Sequence, residues 1–125
     1  MDENSQLNIF RETIEECSCD PLTGFFRTGC CDTSDRDHGS HTVCALITED
    51  FLQFSISRGN DLSTPVPQYN FPGLKEGDKW CLCANRWLEA YEADSAPAII
   101  AKATNIKAQE VIPLELIKEF AIDII

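Results

Sequence analysis

The chain has 125 residues, 43% of them hydrophobic and 25% charged, a composition typical of one globular domain and not of a disordered segment. Its net charge of −11 argues against nucleic acid and anionic membrane surfaces as partners, because both would repel it. The acidic start differs from a signal peptide, and no stretch approaches the roughly 18 apolar residues of a membrane span. We therefore expect a cytoplasmic protein with reduced thiols, in keeping with its odd count of seven cysteines.

The first half of the chain combines long irregular segments with one strand and one helix. Residues 15–41 are rich in turn-forming Pro, Gly, Asp, Ser and Thr. Residues 41–48 are apolar on both faces and predict a central strand. Thr48 is a suitable N-cap for a helix that ends at Gly59. Residues 60–77 contain three prolines and predict a second long loop, and loops of this length often carry function.

The second half predicts shorter elements in close succession. Residues 79–83 form a strand, and the helix that begins at Ala84 carries apolar residues at the spacing of one buried face and stops before Pro97. A last helix starts at Pro113, which suits the first helical position. The remaining predicted strands are residues 98–103 and 108–112.

These elements predict a compact single α+β domain, with a small mixed sheet, short helices and two long loops. We place the globular domain at residues 17–125 and treat residues 1–16 as an N-terminal segment without defined structure. The acidic residues Asp32, Asp35 and Asp37 are interpreted as a solvated loop.

The clustered cysteines suggest a metal site. On a strand, Cys81 and Cys83 point to the same face and could chelate a soft ion together. Zinc takes thiolate and imidazole ligands, so a zinc or other transition-metal ion is one hypothesis. The candidate ligands are Cys30, Cys31, His41, Cys81 and Cys83. The alternative is that these cysteines are small apolar groups of the core, where cysteine is common.

A catalytic thiol is a second hypothesis. Cys83 stands just before the helix that begins at Ala84 and three residues before Arg86, and both features favour a thiolate. His41 could act as its base if the fold brings the two together. Cys31 is the other candidate nucleophile. Cys44, three residues after His41, would point to the opposite strand face and makes a poor partner for it.

A binding cleft lined by loops 15–41 and 58–78 together with segment 80–86 is the third hypothesis. Its candidate ligand-binding residues are Arg27, Asp61, Cys81 and Arg86. For the segment 58–65 the alternative is an ordinary helix exit with an Asx-turn at Asn60 or Asp61.

Five strings carry a family resemblance: DPLTGFFR at 20–27, GCC at 29–31, GSHTVCA at 39–45, RGNDLSTP at 58–65 and GDKWCLCA at 77–84. They resemble the domain of unknown function 2237 from about Cys17 to the C-terminus. The resemblance implies a small, soluble, single-domain protein, chiefly bacterial, without an established activity, cofactor or substrate. His41 matches the family pattern, whereas His38 and Cys19 depart from it. The family's motif cysteines correspond to Cys17, Cys30, Cys31, Cys44, Cys81 and Cys83.

Three functions follow as hypotheses. The first is a module that binds a small ligand or metal through Cys/His-rich loops. The second is a thiol-dependent enzyme with Cys83 or Cys31 as nucleophile, His41 as base and Arg27 or Arg86 holding an anion. The third is an interaction protein whose acidic face meets a basic partner.

Overall fold

A computed structural model describes residues 6–124. Three antiparallel strands form the sheet in the order β2–β1–β3: β1 is His41–Leu46, β2 is Lys79–Cys83 and β3 is Ala98–Ile99. The helices are α1 (Glu49–Ser57), α2 (Ala84–Glu92) and α3 (Leu114–Phe120). Short 3₁₀ helices cover Pro67–Tyr69, Ala101–Ala103 and Ile106–Glu110. The α+β prediction is confirmed, but the sheet is antiparallel and not mixed; parallel pairing in residues 6–124 is limited to an isolated bridge between Ile99 and Ala121.

The central position predicted for β1 is confirmed, because β1 pairs with both other strands. Val43 and Ala45 are fully buried on one face of β1, and Cys44 is fully buried on the other. In the register with β2, Cys44 lies opposite Cys81 and His41 lies opposite Cys83. A bulge between His41 and Val43 shifts this register at the start of β1.

The helices begin where local chemistry supports them. Thr48 caps α1, since its hydroxyl accepts a hydrogen bond from the Phe51 amide at 3.1 Å. On α2 the buried face carries Trp87, whose indole Nε1 donates to the Pro97 carbonyl at 3.0 Å. Pro113 is the N-cap residue of α3, so the helix begins at Leu114, one residue later than predicted.

The strand predicted at 108–112 is wrong. Asn105 accepts a hydrogen bond from the Lys107 amide at 3.0 Å and so caps a 3₁₀ helix instead. Ala108 and Ile112 are both fully buried, whereas Glu110 between them is exposed, which is a helical rather than an alternating pattern. The strand predicted at 98–103 ends at Ile99. The Ile100 amide still donates to the Cys44 carbonyl of β1 at 2.8 Å, but the amides of Ala101 and Lys102 donate to the Asp123 carboxylate, at 2.7 and 2.9 Å, and not to a strand.

The expectation of seven reduced thiols is also wrong. Cys17 is disulfide-bonded to Cys44, and Cys31 is disulfide-bonded to Cys81, with Cα–Cα distances of 5.7 and 5.3 Å. An odd count excludes complete pairing but not partial pairing, and the loops fold back far enough to reach the sheet. Free thiols remain at Cys19, Cys30 and Cys83.

Candidate functional site

A cleft runs along the outer edge of β2, and we call it the β2-edge cleft. It consists of two cavities of about 380 and 200 Å³ that share His41, Leu62 and Trp80. Both long loops predicted to carry function contribute to it, as does the first turn of α2. Its lining residues are Gly24, Phe25, Arg27, His41, Asn60, Leu62, Trp80, Cys81, Leu82, Cys83 and Arg86.

His41 is held in a defined orientation by Asp37. The His41 Nδ1 lies 2.6 Å from Asp37 Oδ1, and its backbone amide donates to Asp37 Oδ2 at 2.8 Å. Thr33 also donates its hydroxyl to Asp37 Oδ2, at 3.0 Å. The Asp37 side chain is fully buried, whereas the His41 side chain is 40% exposed. Because a carboxylate only accepts, Nδ1 carries the hydrogen and Nε2 of a neutral ring is left as a base.

The imidazole of His41 is also restrained on its faces and edge. The Phe25 ring stacks near it, with centroids 6.2 Å apart and an angle of 24° between the planes. A Cβ atom added at Gly39 would lie 2.8 Å from His41 Cε1, so only glycine allows this close approach. The position of the ring is therefore set by its hydrogen bond to Asp37, the stacked Phe25 ring and the absence of a side chain at Gly39.

Cys83 lies opposite His41 in the β1–β2 register, and both line the smaller cavity of the cleft. Cys83 is also the N-cap residue of α2, where the helix dipole favours negative charge. The Ala84 amide donates to the Ser40 carbonyl at 3.0 Å, which ties the start of α2 to the residue before His41. The predicted thiol, base and helix N-terminus are thus brought together.

The two arginines of the cleft are placed in different ways. The Arg27 guanidinium stacks over Trp80, with Cζ 5.5 Å from the ring centroid, and its Nη1 donates to the Gly24 carbonyl at 2.7 Å. Arg86 lines the smaller cavity beside Cys83 and also reaches Glu89, with Nη1 3.4 Å from Oε1. The protein therefore presents two cationic groups in its cleft despite its acidic charge.

Asp61 organises its own loop. Its carboxylate accepts hydrogen bonds from the Ser63 amide and hydroxyl, both at 2.9 Å, and from the Thr64 hydroxyl at 2.6 Å. These hydrogen bonds, that of the Thr64 hydroxyl first, lower the pKa of Asp61 to about 2. The Asx-turn alternative is what the structure has here, and Leu62 inside this turn lines the cleft.

The predicted metal ligands do not form one group. Cys31 and Cys81 are joined in a disulfide and are almost fully buried, so neither is a free thiol. Within residues 6–124, the group close enough to share an ion is Cys17, Cys31 and Cys81, whose sulfurs lie within 4.8 Å of one another. Cys44 is bonded to Cys17 and belongs to the same buried cluster. A cysteine cluster that could hold a metal is therefore present, but it shares only Cys31 and Cys81 with the predicted ligands.

The other two free thiols lie away from the cleft. Cys19 is exposed, and a hydrogen bond with Glu16 raises its pKa. Burial raises the pKa of Cys30, and the nearby carboxylates of Asp32 and Glu16 raise it further. Both thiols are thus less ionised at neutral pH than an ordinary cysteine.

A larger groove, of about 630 Å³, lies on the other side of Asp37 and is lined by polar residues such as His38, Asn85 and Glu110. Its lining residues include no cysteine and no arginine. We prefer the β2-edge cleft as the candidate site, because among the cavities lined by residues 6–124 it is the one that combines a free thiol, an oriented imidazole and two guanidinium groups.

Sequence reasoning missed Asp37, Gly39 and Phe25, whereas segment 80–86 was predicted to line the cleft and does so. Asp37 was interpreted as part of a solvated loop. It stands four residues before His41, and a turn can bring two side chains at that separation into contact. The cation–π pair of Arg27 and Trp80 joins residues from distant segments, so local sequence carries no signal for it.

None of the helices within residues 6–124 has the length and apolar character needed to cross a membrane. No curated protein matches the chain. A family model matches the chain from residue 7, which lies before Cys17. In that first segment Leu7 and Thr13 pair in an isolated antiparallel bridge. That model, described as "Uncharacterized protein conserved in bacteria (DUF2237)", matches residues 7–121, and the chain belongs to this family.

Proposed function

We propose that the protein is a cysteine-dependent enzyme that cleaves or transfers an acyl group, with Cys83 as nucleophile, His41 as general base and Asp37 as the residue that positions His41. One observation carries the proposal: the fixed Asp37–His41 pair lies opposite a free thiol in a cleft. A nucleophile, a base and a third group that orients the base are the parts such catalysis requires.

The reaction proceeds in two balanced steps. The Cys83 thiol gives its proton to His41 Nε2, and the sulfur attacks the acyl carbonyl to form a carbon–sulfur bond. The leaving group departs with the proton that His41 has taken, which leaves a thioester on Cys83. A water molecule, or another acceptor, then attacks the thioester with His41 again as base, and the thiol is restored.

The start of α2 supports the negative charge that develops on the acyl oxygen. The amides of Asn85 and Arg86 lie in the first turn of α2, where backbone N–H groups have no acceptor four residues earlier in the helix. Donors of this kind beside a nucleophile form oxyanion holes in acyl-transfer enzymes. Cys83 is the N-cap residue directly before this turn, so the donors and the attacking sulfur are neighbours along the chain.

The cleft suggests a small acyl substrate that carries a negative charge. Arg27 and Arg86 supply positive charge in its two cavities, and a guanidinium recognises a carboxylate or phosphate through paired N–H donors. Phe25, Leu62 and Trp80 provide an apolar wall between them. A short acyl chain ending in an anionic group fits both features.

A module that only binds small anions is the second candidate. It is favoured by Arg27, whose guanidinium is already held over Trp80 and by the Gly24 carbonyl and needs little further ordering to bind. In that case the cleft would bind the anion without any covalent step at Cys83.

The test uses two activated esters, p-nitrophenyl acetate and mono-p-nitrophenyl succinate. We expect a burst of p-nitrophenolate, with the acyl group found by mass spectrometry on Cys83. The succinyl ester should acylate faster, because it carries the anionic end. The burst should be absent in Cys83→Ala. In His41→Ala the rate of the burst should fall by about 100-fold or more, the range for loss of a general base.

Cys19→Ala is the matched control and should keep the full burst. Acyl groups spread evenly over Cys19, Cys30 and Cys83 would contradict an activated Cys83. If succinate binds equally to the protein and to Cys83→Ala while no burst is seen, the protein is a binding module and the enzyme proposal fails.

A further inference from the structure

Two buried disulfides lie side by side: the sulfurs of Cys17, Cys31 and Cys81 are within 4.8 Å of one another, and Cys44 is bonded to Cys17. Cys17 and Cys31 come from the first long loop, and Cys44 and Cys81 lie opposite each other on β1 and β2. All four residues are at most 4% exposed. Their hydrophobic neighbours include Ile14, Ile100 and Ala103. We call these four cysteines the four-sulfur cluster.

Three of the four sulfurs have a spacing compatible with thiolate ligands of one metal ion, and the fourth, that of Cys44, is bonded to one of these three. With a zinc–sulfur distance of about 2.3 Å, the sulfurs of a tetrahedral site are roughly 3.8 Å apart. The sulfurs of Cys17, Cys31 and Cys81 already lie within 4.8 Å of one another, and Cys44 is bonded to one of them. Reduction of both bonds, with the bonded sulfurs moving apart and Cys44 turning towards Cys31 and Cys81, would give four ligands around one ion.

The close approach of Cys17 of one disulfide to Cys31 and Cys81 of the other is more than cross-linking requires. Either bond alone would hold a loop to the sheet, and two cross-links gain nothing by touching. A metal site, in contrast, needs all four sulfurs together. The ligands also come from well-ordered positions, because Cys44 and Cys81 are paired in the sheet and their amides donate to the buried hydroxyls of Thr104 and Thr23 at 3.1 and 2.9 Å.

We infer that the reduced protein binds one Zn²⁺ through Cys17, Cys31, Cys44 and Cys81, and that oxidation to the two disulfides releases it. Each disulfide forms when two thiolates give two electrons to a peroxide, which also takes up two protons. Hydrogen peroxide then yields two water molecules, and an organic peroxide yields one water and one alcohol. Four thiolates around Zn²⁺ carry a net charge of −2, which is costly in apolar surroundings, whereas the disulfides are neutral. Oxidation therefore relieves a buried charge as it expels the ion.

The experiment compares the full chain in two redox states. Protein is reduced with a phosphine under anaerobic conditions in the presence of ZnCl₂, desalted and analysed for metal. We expect about one Zn²⁺ per reduced chain and almost none in the oxidised protein. Addition of hydrogen peroxide should release the ion in step with the loss of four thiols. Absence of zinc from the reduced protein would overturn the inference.

Alkylation mapping identifies the ligands without any substitution. Bound zinc should protect Cys17, Cys31, Cys44 and Cys81, while Cys19, Cys30 and Cys83 still react. The triple variant Cys19→Ser/Cys30→Ser/Cys83→Ser is the matched control and should bind zinc as before. Protection of Cys30, Cys83 or Cys19 instead, or loss of zinc binding in the triple variant, would show that the metal is held elsewhere and that the assignment is wrong.

Discussion

His41 and Cys83 are antiparallel partners at the end of the β1–β2 ladder, where one strand begins and the other passes into α2. The pairing places a base and a thiol from sequence positions far apart in the same small cavity. A buried carboxylate, Asp37, holds the base from behind. The sheet register therefore assembles the candidate site, and the loops complete its walls.

The substitution Asp37→Asn should impair Cys83 by changing the tautomer of His41. An amide in place of the carboxylate can present its NH₂ group to Nδ1, which then accepts, so that the hydrogen moves to Nε2 and the base is lost. We expect iodoacetamide to alkylate Cys83 more slowly by at least tenfold, a modest part of what a general base supplies. Nitrogen-15 NMR of the imidazole reports the tautomer directly.

Thr33→Val is the matched control for Asp37→Asn, because it removes another hydrogen bond to the same carboxylate but leaves that of His41. It should change the alkylation rate little. An Asp37→Asn protein with the hydrogen still on Nδ1 and an unchanged rate would show that Asp37 only supports the loop.

Gly39→Ala should displace the imidazole without unfolding the protein. The added Cβ would meet His41 Cε1 at 2.8 Å and Nδ1 at 3.4 Å, so the ring must move away from its hydrogen bond with Asp37. We expect slower alkylation of Cys83 and a changed chemical shift of the His41 ring protons. Gly59→Ala is the control: it places a side chain at φ of +78° in open space, which should cost about 1 kcal/mol of stability but not alter Cys83. Equal alkylation rates in both variants would mean that Gly39 does not position the ring.

The parts of the fold that local sequence specifies were predicted well. The N-cap at Thr48, the strand at Lys79–Cys83 and the helix beginning at Ala84 each follow from neighbouring residues and are found where expected. The segment 108–112 failed because five mostly apolar residues suit a strand or a helix equally. The Asn105 cap decides between them, and its effect is visible only in the fold.

The candidate site was only partly predictable for the same reason. Cys83, His41 and Arg86 could be named because a thiol before a helix and a nearby cation are local features. The pairing of cysteines could not be read from spacing, since four cysteines already allow three connectivities. Asp37 was missed because burial, which turns a solvated acid into a partner of His41, depends on contacts with the rest of the chain.

Glu16→Ala should make Cys19 more reactive. The hydrogen bond with Glu16 and its negative charge raise the pKa of Cys19, so their removal should lower that pKa and increase the thiolate present at neutral pH. The pH dependence of alkylation, followed for each cysteine by mass spectrometry, gives the shift. Cys30 should change in the same direction but less, because burial is the main cause of its raised pKa.

Glu15→Ala is the control, because it removes the adjacent exposed acid and should leave the pKa of Cys19 unchanged. An equal effect of both substitutions would show that the net charge of the segment, and not the Glu16 contact, raises the pKa of Cys19.

Loss of the Cys31–Cys81 disulfide should destabilise the oxidised protein more than loss of Cys17–Cys44. The two bonds span 50 and 27 residues, and chain entropy gives about 4.1 and 3.6 kcal/mol for closed loops of those lengths. The paired variants Cys31→Ala/Cys81→Ala and Cys17→Ala/Cys44→Ala leave similar apolar groups in the cluster, so their difference reports the cross-link. Urea unfolding without reductant measures both. The reverse order of stability would show that packing around the cluster, and not loop length, decides the effect.

The turn at Asp61 should open in acid with a midpoint far below that of an ordinary aspartate. Hydrogen bonds from Thr64 and Ser63 lower the pKa of Asp61 from 3.8 to about 2, so the folded loop favours the ionised form. The stabilisation is therefore complete above pH 3.8 and is lost as the pH falls through about 2. The Ser63 amide shift should titrate with that midpoint, and Asp61→Asn should abolish the titration. Because Leu62 lines the cleft, the same acid step should alter the ring protons of Trp80. A Ser63 midpoint near 3.8 would mean that the turn does not hold the carboxylate in solution.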